Sequence, residues 1–168
     1  MIVRGVVFDL FHTLTGRESE RSDIPWTADV RGVPRARWDE LLAKSSQGRL
    51  TGGERDPYRI VSALAHEIDP TIGEERLRKA VAARIHRFRE TLYRIPIENI
   101  DTLHELRVAG LRLGLISNAD VMEVAAWADS PMAGLFDSEV FSCDAGCVNR
   151  PGGVAIAAGT RDLRAVPA

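Results

Sequence analysis

The stretch that decides the fold lies near the start of the chain and reads Val6-Val7-Phe8-Asp9-Leu10-Phe11-His12-Thr13-Leu14. Its first part belongs to an apolar run over residues 2–8 that is rich in β-branched side chains and stops at Asp9. Such a run is typical of a parallel strand that is buried on both faces. Because ligands of open α/β sheets bind at the carboxyl ends of the strands, Asp9 is predicted to lie at a ligand-binding edge.

Two later stretches have the same character. Residues 111–116 form a second apolar run, which ends in Ser117-Asn118, and residues 139–142, Glu-Val-Phe-Ser, are expected to form a short third strand. Arg150 follows Ser117 at about the length of one βαβ unit. We expect a helix over residues 119–128 and an α/β fold with a Rossmann-like parallel sheet.

Between the first and second strands the pattern is helical. Residues 16–33 hold Gly, Ser, Asp and Pro with little periodicity and are expected to form a loop. Further along, apolar side chains recur every three or four positions, as an amphipathic helix requires. The clearest set is Leu77, Val81, Ile85, Phe88 and Leu92. We therefore predict a helical insertion over residues 16–95 in an α/β core made of residues 1–15 and 96–168.

The composition bounds the class of protein. The 168 residues are 45% apolar and 27% charged, which excludes a disordered or fibrous chain. A net charge of −2 provides no basic surface for nucleic acid, and no stretch approaches the roughly 18 apolar residues of a membrane span. No secretory signal is recognisable, so a cytoplasmic location is expected. Cys143 and Cys147 are expected to be buried or half-buried thiols.

Asp9 is the sharpest candidate for chemistry. A carboxylate nucleophile divides a displacement into two steps through an enzyme ester. Ser117 and Asn118 stand at the end of the next strand, where a hydroxyl and an amide can hydrogen-bond an oxyanion that develops in the substrate. The same residues also admit a structural role, in which Asp9 belongs to a turn and Ser117 or Asn118 caps a helix.

The order of these stretches resembles that of the haloacid dehalogenase (HAD) superfamily. Residues 6–14 resemble the first motif of that family, and residues 115–119, Leu-Ile-Ser-Asn-Ala, resemble the second. Residues 142–147, followed by Arg150-Pro151, resemble the approach to the third. The helical insertion has the position of the small helical cap of the family. The resemblance covers roughly residues 1–151 and implies a hydrolase that acts on a small phosphorylated or halogenated substrate.

The resemblance also implies roles for particular residues. Asp9 would be the nucleophile, Ser117 would hydrogen-bond the transferring group with Asn118 beside it, and Arg150 would supply the basic charge of the third motif. The polar turn residues His12 and Thr13 would contact the substrate.

The resemblance implies a metal ion only in the phosphatase branch. There Mg²⁺ would be held by Asp9, by the main-chain carbonyl of Phe11 and by an acid of a fourth motif, and such a cation suits oxygen ligands. The dehalogenase branch would need no metal ion.

Three departures from the family pattern bear on activity. Phe11 stands where phosphatases of the family carry a second Asp as general acid and base, and dehalogenases of the family carry an aromatic residue there. Of the 22 basic residues only Lys44 and Lys79 are lysines, and both precede Ser117, so Arg150 stands in place of the Lys of the third motif. After Pro151 we find no strand that ends in an acidic residue.

These departures leave a second interpretation open. The chain would then be a catalytically inactive HAD-like binding protein, or a truncated product that lacks the fourth motif through a frameshift or an early stop. A sheet that lacks its last strand would leave an open edge, and open edges favour pairing with another chain. A homodimer is therefore also expected.

Overall fold

The structure, a computed structural model, describes residues 4–16, 23 and 26–149. The strands are β1 (Gly5–Phe8), β2 (Arg112–Ser117) and β3 (Ser138–Phe141). The helices are α1 (Thr27–Arg31), α2 (Arg35–Lys44), α3 (Ser46–Leu50), α4 (Pro57–Ile68), α5 (Glu74–Tyr93), α6 (Ile97–Val108) and α7 (Ser142–Ala145). The predicted α/β class is confirmed.

The three strands form a parallel sheet in the order β1-β2-β3. Phe8 pairs with Leu115, and Ser117 pairs with Phe141, so the carboxyl ends of all three strands meet at one edge. The expectation that the first strand is buried on both faces is wrong for the described part of the chain. Here β1 is an edge strand, and the side chain of Val7 is 57% exposed.

Helices α1 to α5, over residues 27–93, are called the helical block below. Their apolar sides enclose a core of their own, in which Trp38, Leu41, Val61 and Leu77 are buried. Residues 16–33 were expected to form a loop, but residues 27–31 of that stretch form helix α1. Its short turns bury Ala28 against the other helices of the block.

A second apolar cluster lies around the sheet. It joins Leu113 and Leu115 of β2 to Leu103 of α6, to Leu92 near the end of α5 and to Leu10 just after β1. Leu10 and Leu92 thus pack into this cluster close to the two connections between the sheet and the helical block. The boundaries of the two predicted domains remain a prediction.

The helix expected over residues 119–128 is wrong. That stretch consists of turns and a single 3-10 turn, Trp127–Asp129. The carboxylate of Asp120 accepts hydrogen bonds from the amides of Met122 and Glu123 at 2.9 and 3.2 Å, which is the pattern with which Asp56 caps α4, yet no helix follows it. The tertiary context of this stretch overrides its helix propensity. In the part of the chain that the structure describes, no helix is both long and apolar enough to span a membrane.

Candidate active site

The site is built at the carboxyl edge of the sheet. Asp9 follows the last residue of β1, and Ser117 is the last residue of its neighbour β2. Since Phe8 pairs with Leu115, Asp9 lies level with the end of β2. Adjacent strands are about 4.8 Å apart. The topology therefore brings the predicted nucleophile and the predicted hydroxyl to neighbouring strand ends.

A tight turn presents Asp9 to solvent. Leu10 is fully buried, and its carbonyl accepts hydrogen bonds from the amides of Leu14 and Thr15 at 2.9 and 3.1 Å. The chain then folds back so that the Thr13 hydroxyl lies 3.4 Å from Asp9 Oδ2, as a donor to it. One carboxylate oxygen of Asp9 is thus held by Thr13, while the side chain as a whole is exposed.

His12 lies in the same turn with an unusual backbone. Its φ is +64°, and it is the one non-glycine residue with positive φ in the described part of the chain. Its amide donates to the Thr15 hydroxyl at 3.2 Å, which holds the turn closed. The left-handed region costs a β-carbon free energy, and such strain often marks a functional position. The imidazole is exposed, three residues after Asp9 in sequence.

Phe11 joins the turn to the helical block. Its ring meets that of Phe88 in α5 edge to face, with the centroids 5.5 Å apart and the planes at 81°. An aromatic pair of this geometry is held by dispersion and by the quadrupoles of the rings. The position two residues after Asp9 therefore carries an apolar packing contact, and its side chain has no group that can transfer a proton.

Ser117 has the most informative environment in the site. Its side chain is 2% exposed, and its hydroxyl is buried without a hydrogen-bond partner among the described residues. Most buried polar groups are paired, and an unpaired one costs about 1–3 kcal/mol. A buried, unpaired hydroxyl at a strand end is a candidate hydrogen-bonding group for a ligand.

Asn118 links the loop after β2 to the chain beyond α7. Its amide nitrogen donates to the Asn149 carbonyl at 2.7 Å, and the Asn149 amide donates to Asn118 Oδ1, also at 2.7 Å. Arg150 is the next residue in sequence and lies outside the described residues.

A buried charge network adjoins the site and was missed by sequence reasoning. The carboxylate of Asp120 is fully buried and binds Arg49 of α3 and Arg84 of α5, the latter at 3.1 Å. Arg84 also binds Glu123 at 2.5 Å. One signal was available: Arg84 lies on the apolar stripe of α5, three residues after Val81 and four before Phe88. A charged residue on a buried stripe calls for a partner.

Burial changes the acidity of two groups near this network. It raises the pKa of Glu123, although the charge of Arg84 acts in the opposite direction. Burial also raises the pKa of the Cys143 thiol, with the nearby negative charge of Asp144 in the same direction. Both thiols are free. Cys143 is buried and Cys147 is half-buried, as the sequence predicts.

The donor set was compared with what Mg²⁺ requires. Asp9 offers a carboxylate, and Phe11 offers a main-chain carbonyl. Within the described ranges no three His, Cys, Asp or Glu side chains are close enough to hold a metal ion together. Mg²⁺ prefers six oxygen ligands in near-octahedral geometry. Asp9 and Phe11 therefore do not fit a resident ion on their own.

Similarity to solved structures bears on the fold. No protein-family model matches the sequence, and no curated protein matches it. A HAD-family enzyme of Bacteroides thetaiotaomicron, solved as an aspartate-to-alanine variant with magnesium and inorganic phosphate, is 12% identical with a TM-score of 0.60. The match covers 88% of this chain and 72% of that chain.

Two further structures agree with it. A predicted HAD-like family hydrolase from Porphyromonas gingivalis is 21% identical, with a TM-score of 0.61 over 90% of this chain and 72% of that chain. An L-2-haloacid dehalogenase is 22% identical, with a TM-score of 0.53 over 89% of this chain and 68% of that chain. The resemblance inferred from the motifs is thereby confirmed at the level of architecture: this chain has the fold of the HAD-family enzymes and haloacid dehalogenases.

Proposed function

We propose that this chain is a HAD-type hydrolase in which the carboxylate of Asp9 attacks a small phosphorylated or halogenated substrate. The observation that carries the proposal is the buried Ser117 hydroxyl, which has no hydrogen-bond partner among the described residues. Folding leaves this group unpaired at a cost, and a substrate oxygen would remove that cost. An oxyanion at this place would receive its hydrogen bond where negative charge develops.

The proposed reaction needs only the substrate and water. With a halogenated substrate, an Asp9 oxygen bonds to the carbon, the carbon–halogen bond breaks, and halide leaves with the electron pair. Water then attacks the ester carbonyl and yields the hydroxy product, the Asp9 carboxylate and a proton. With a phosphorylated substrate, Asp9 bonds to phosphorus as the leaving oxygen departs, and water then releases phosphate. Thr13 holds one oxygen of Asp9, so the other is the attacking atom.

The leaving group is restricted by Phe11. Its phenyl ring cannot protonate a departing alkoxide, so groups that leave as stable anions, such as halide or nitrophenolate, suit the site best. We propose that His12 and Thr13 contact the substrate and that Arg150 supplies positive charge. If the substrate is phosphorylated, its oxygens could join those of Asp9 and Phe11 in a Mg²⁺ site; a halogenated substrate requires no such ion.

Two activity assays test the proposal. Hydrolysis of p-nitrophenyl phosphate with and without Mg²⁺, and halide release from 2-chloropropionate, are measured for the unmutated chain, for Asp9→Asn and for Asp101→Asn. Asp101 is an exposed acid of α6 and serves as the control. We expect one activity at least, retained in Asp101→Asn and lost in Asp9→Asn. Equal turnover by Asp9→Asn would overturn the proposal.

A second function is favoured by the Phe11–Phe88 contact, which fills the position of the usual general acid with apolar packing. In that case the chain binds a small anionic ligand without turnover. A thermal-shift titration with phosphate, with and without Mg²⁺, separates the two functions. Stabilisation by phosphate together with no turnover on either substrate favours the binding protein.

The proposal extends to domain organisation and location. We propose an α/β core in residues 1–15 and 96–168 and a helical cap in residues 16–95. We also propose a cytoplasmic location, in which thiols such as that of Cys143 stay reduced. A homodimer is proposed because β1 is an edge strand in the described part of the sheet and Val7 is exposed on it. Sedimentation of the unmutated chain and of Val7→Lys tests it, and a monomer in both contradicts it.

A further inference from the structure

One short segment of the helical block contacts both segments that follow strands at the carboxyl edge of the sheet, namely the loop after β2 and helix α7 after β3. Within residues 49–55, Arg49 binds Asp120 in the loop after β2. Arg55 donates to the Cys143 carbonyl at 2.6 Å and to Asp144 Oδ1 at 2.7 Å, just after β3. The first segment follows Ser117, and the second leads to Asn149. Residues 49–55 therefore join two segments that flank the candidate site, which are called the site loops below.

The approach of this segment is close. Gly52 has a φ of +68°, and a β-carbon placed on it would overlap the Cys143 carbonyl oxygen. Only glycine allows the backbone of residues 49–55 to come this near to the start of α7. The contact is therefore set by main-chain atoms on both sides, and a surface salt bridge from Arg55 reinforces it.

Two further hydrogen bonds hold the Arg49 side chain in place. Its guanidinium donates to the Leu42 carbonyl at 2.9 Å and to the Ser45 hydroxyl at 3.1 Å. Its side chain is 9% exposed, and that of Asp120 is 0% exposed. A buried ion pair needs good geometry on both sides to offset desolvation. Arg49 thus offers Asp120 one fixed position.

The position of Asp120 is transmitted along the backbone. Its second oxygen accepts the amides of Met122 and Glu123, while Glu123 Oε2 accepts the Asp120 amide at 3.0 Å. On the other side, the Ala119 amide donates to the Ser142 hydroxyl at 3.0 Å, which ties the loop to the start of α7. Residues 119–123 are therefore fixed at both ends of the turn that follows Ser117.

We propose that residues 49–55 act as a clamp that positions the two site loops, so that Arg49, Arg55 and Asp120 are positioning residues for the chemistry at Asp9 and Ser117. The clamp rests on the proposed hydrolase function for its effect on turnover. In this proposal the site is ordered only while the helical block contacts the two site loops. Release of the clamp would loosen both loops while the sheet and the helical block stay folded.

Arg55→Ala tests the clamp, because Arg55 is exposed and its loss spares the buried network. The matched control is Arg78→Ala, which removes an exposed salt bridge to Glu74 inside α5. In the full chain, hydrogen exchange of amides in residues 142–149 should rise about two- to fivefold in Arg55→Ala and stay unchanged in Arg78→Ala, since exposed ion pairs contribute a factor of that size.

The turnover rate distinguishes a positioning residue from a residue that is only structural. On whichever probe substrate the unmutated chain hydrolyses, kcat of Arg55→Ala should fall about tenfold with KM and the unfolding midpoint unchanged. Arg55→Lys, which keeps the charge, should recover part of kcat. Arg49→Met gives a second variant, with faster exchange expected at the amides of Asp120 and Met122.

The outcomes separate the clamp from the proposed function. Unchanged exchange in both Arg55→Ala and Arg49→Met overturns the clamp, whatever the activity. Faster exchange with unchanged kcat also overturns it, because the loops would then move without consequence for the chemistry. If the unmutated chain has no turnover, faster exchange combined with weaker phosphate binding supports the clamp while the hydrolase proposal fails.

Discussion

Asn118 and Asn149 hold each other through two hydrogen bonds of 2.7 Å, one from each residue to the other. An amide side chain that pairs with both main-chain groups of one residue fixes that residue in position and direction. Asn149 immediately precedes Arg150, and Asn118 immediately follows the buried hydroxyl of Ser117. The residue after Ser117 therefore holds the chain just before Arg150.

Asn118→Asp tests this link. The change replaces the donor NH₂ by an oxygen, so the Asn149 carbonyl meets a carboxylate in place of a donor. We expect faster hydrogen exchange around Asn149 and a fall in kcat of about tenfold or more, since misplacement by about 1 Å costs that much. The unfolding free energy should change little because both residues are exposed. Equal kcat in the two proteins would contradict the link.

His12 provides a prediction about backbone strain. His12→Gly and His12→Ala lose the same imidazole contacts, but only glycine adopts a φ of +64° without a β-carbon clash. The unfolding free energy of His12→Gly should exceed that of His12→Ala by about 1 kcal/mol. Denaturant unfolding measures the difference. Because we propose that His12 contacts the substrate, both variants should lose activity equally. The expected result is a glycine variant that is more stable than the alanine variant and equally low in activity.

Two glycines of the clamp region should respond in opposite ways. Gly52→Ala forces the new β-carbon against the Cys143 carbonyl and should lower the unfolding free energy by about 1–3 kcal/mol. Gly48 lies inside α3 with open space around its α-carbon, so Gly48→Ala should raise it by about 0.5–1 kcal/mol. Thermal unfolding of the two variants decides the sign of each change. A neutral Gly52→Ala would mean that the close approach is absent.

The two thiols should differ in reactivity. Burial raises the pKa of the Cys143 thiol, so its reactive thiolate is scarcer at neutral pH than in an ordinary cysteine. Cys147 is half-buried and more accessible. With iodoacetamide at pH 7.5, mass spectrometry of peptides should find Cys147 modified first, and the Cys143 rate should keep rising with pH well into the alkaline range. Faster modification of Cys143 in the folded protein would contradict its burial.

Local patterns predict the strand ends and little beyond them. The apolar runs before Asp9 and Ser117 are short-range signals, and parallel pairing brings their ends together, so both residues could be placed from the sequence. Edge exposure of β1 could not, because an apolar run does not reveal whether a neighbour covers it. Val7 is the residue on which that expectation failed.

The partners of Arg84 in the charge network could not be identified from the sequence, for a different reason. Arg84 and Asp120 are 36 positions apart, and Arg49 and Asp120 are 71 apart, so no local spacing joins them. Asp120 also accepts amide hydrogen bonds as a helix N-cap does, so the local pattern over residues 119–128 indicates a helix. The turns that form there instead show a tertiary context that overrides helix propensity.

The central claim is that Asp9 attacks the substrate while the Ser117 hydroxyl bonds the transferring group. A single-turnover experiment with excess enzyme tests it most directly, with acid quenching and peptide mapping by mass spectrometry on the probe that is hydrolysed. We predict a transient ester on the peptide that contains Asp9. The same ester should form at least about a hundredfold more slowly in Ser117→Ala, whose unfolding free energy should equal or exceed that of the unmutated chain. An adduct on another residue, or full turnover by Asp9→Asn, would contradict the claim.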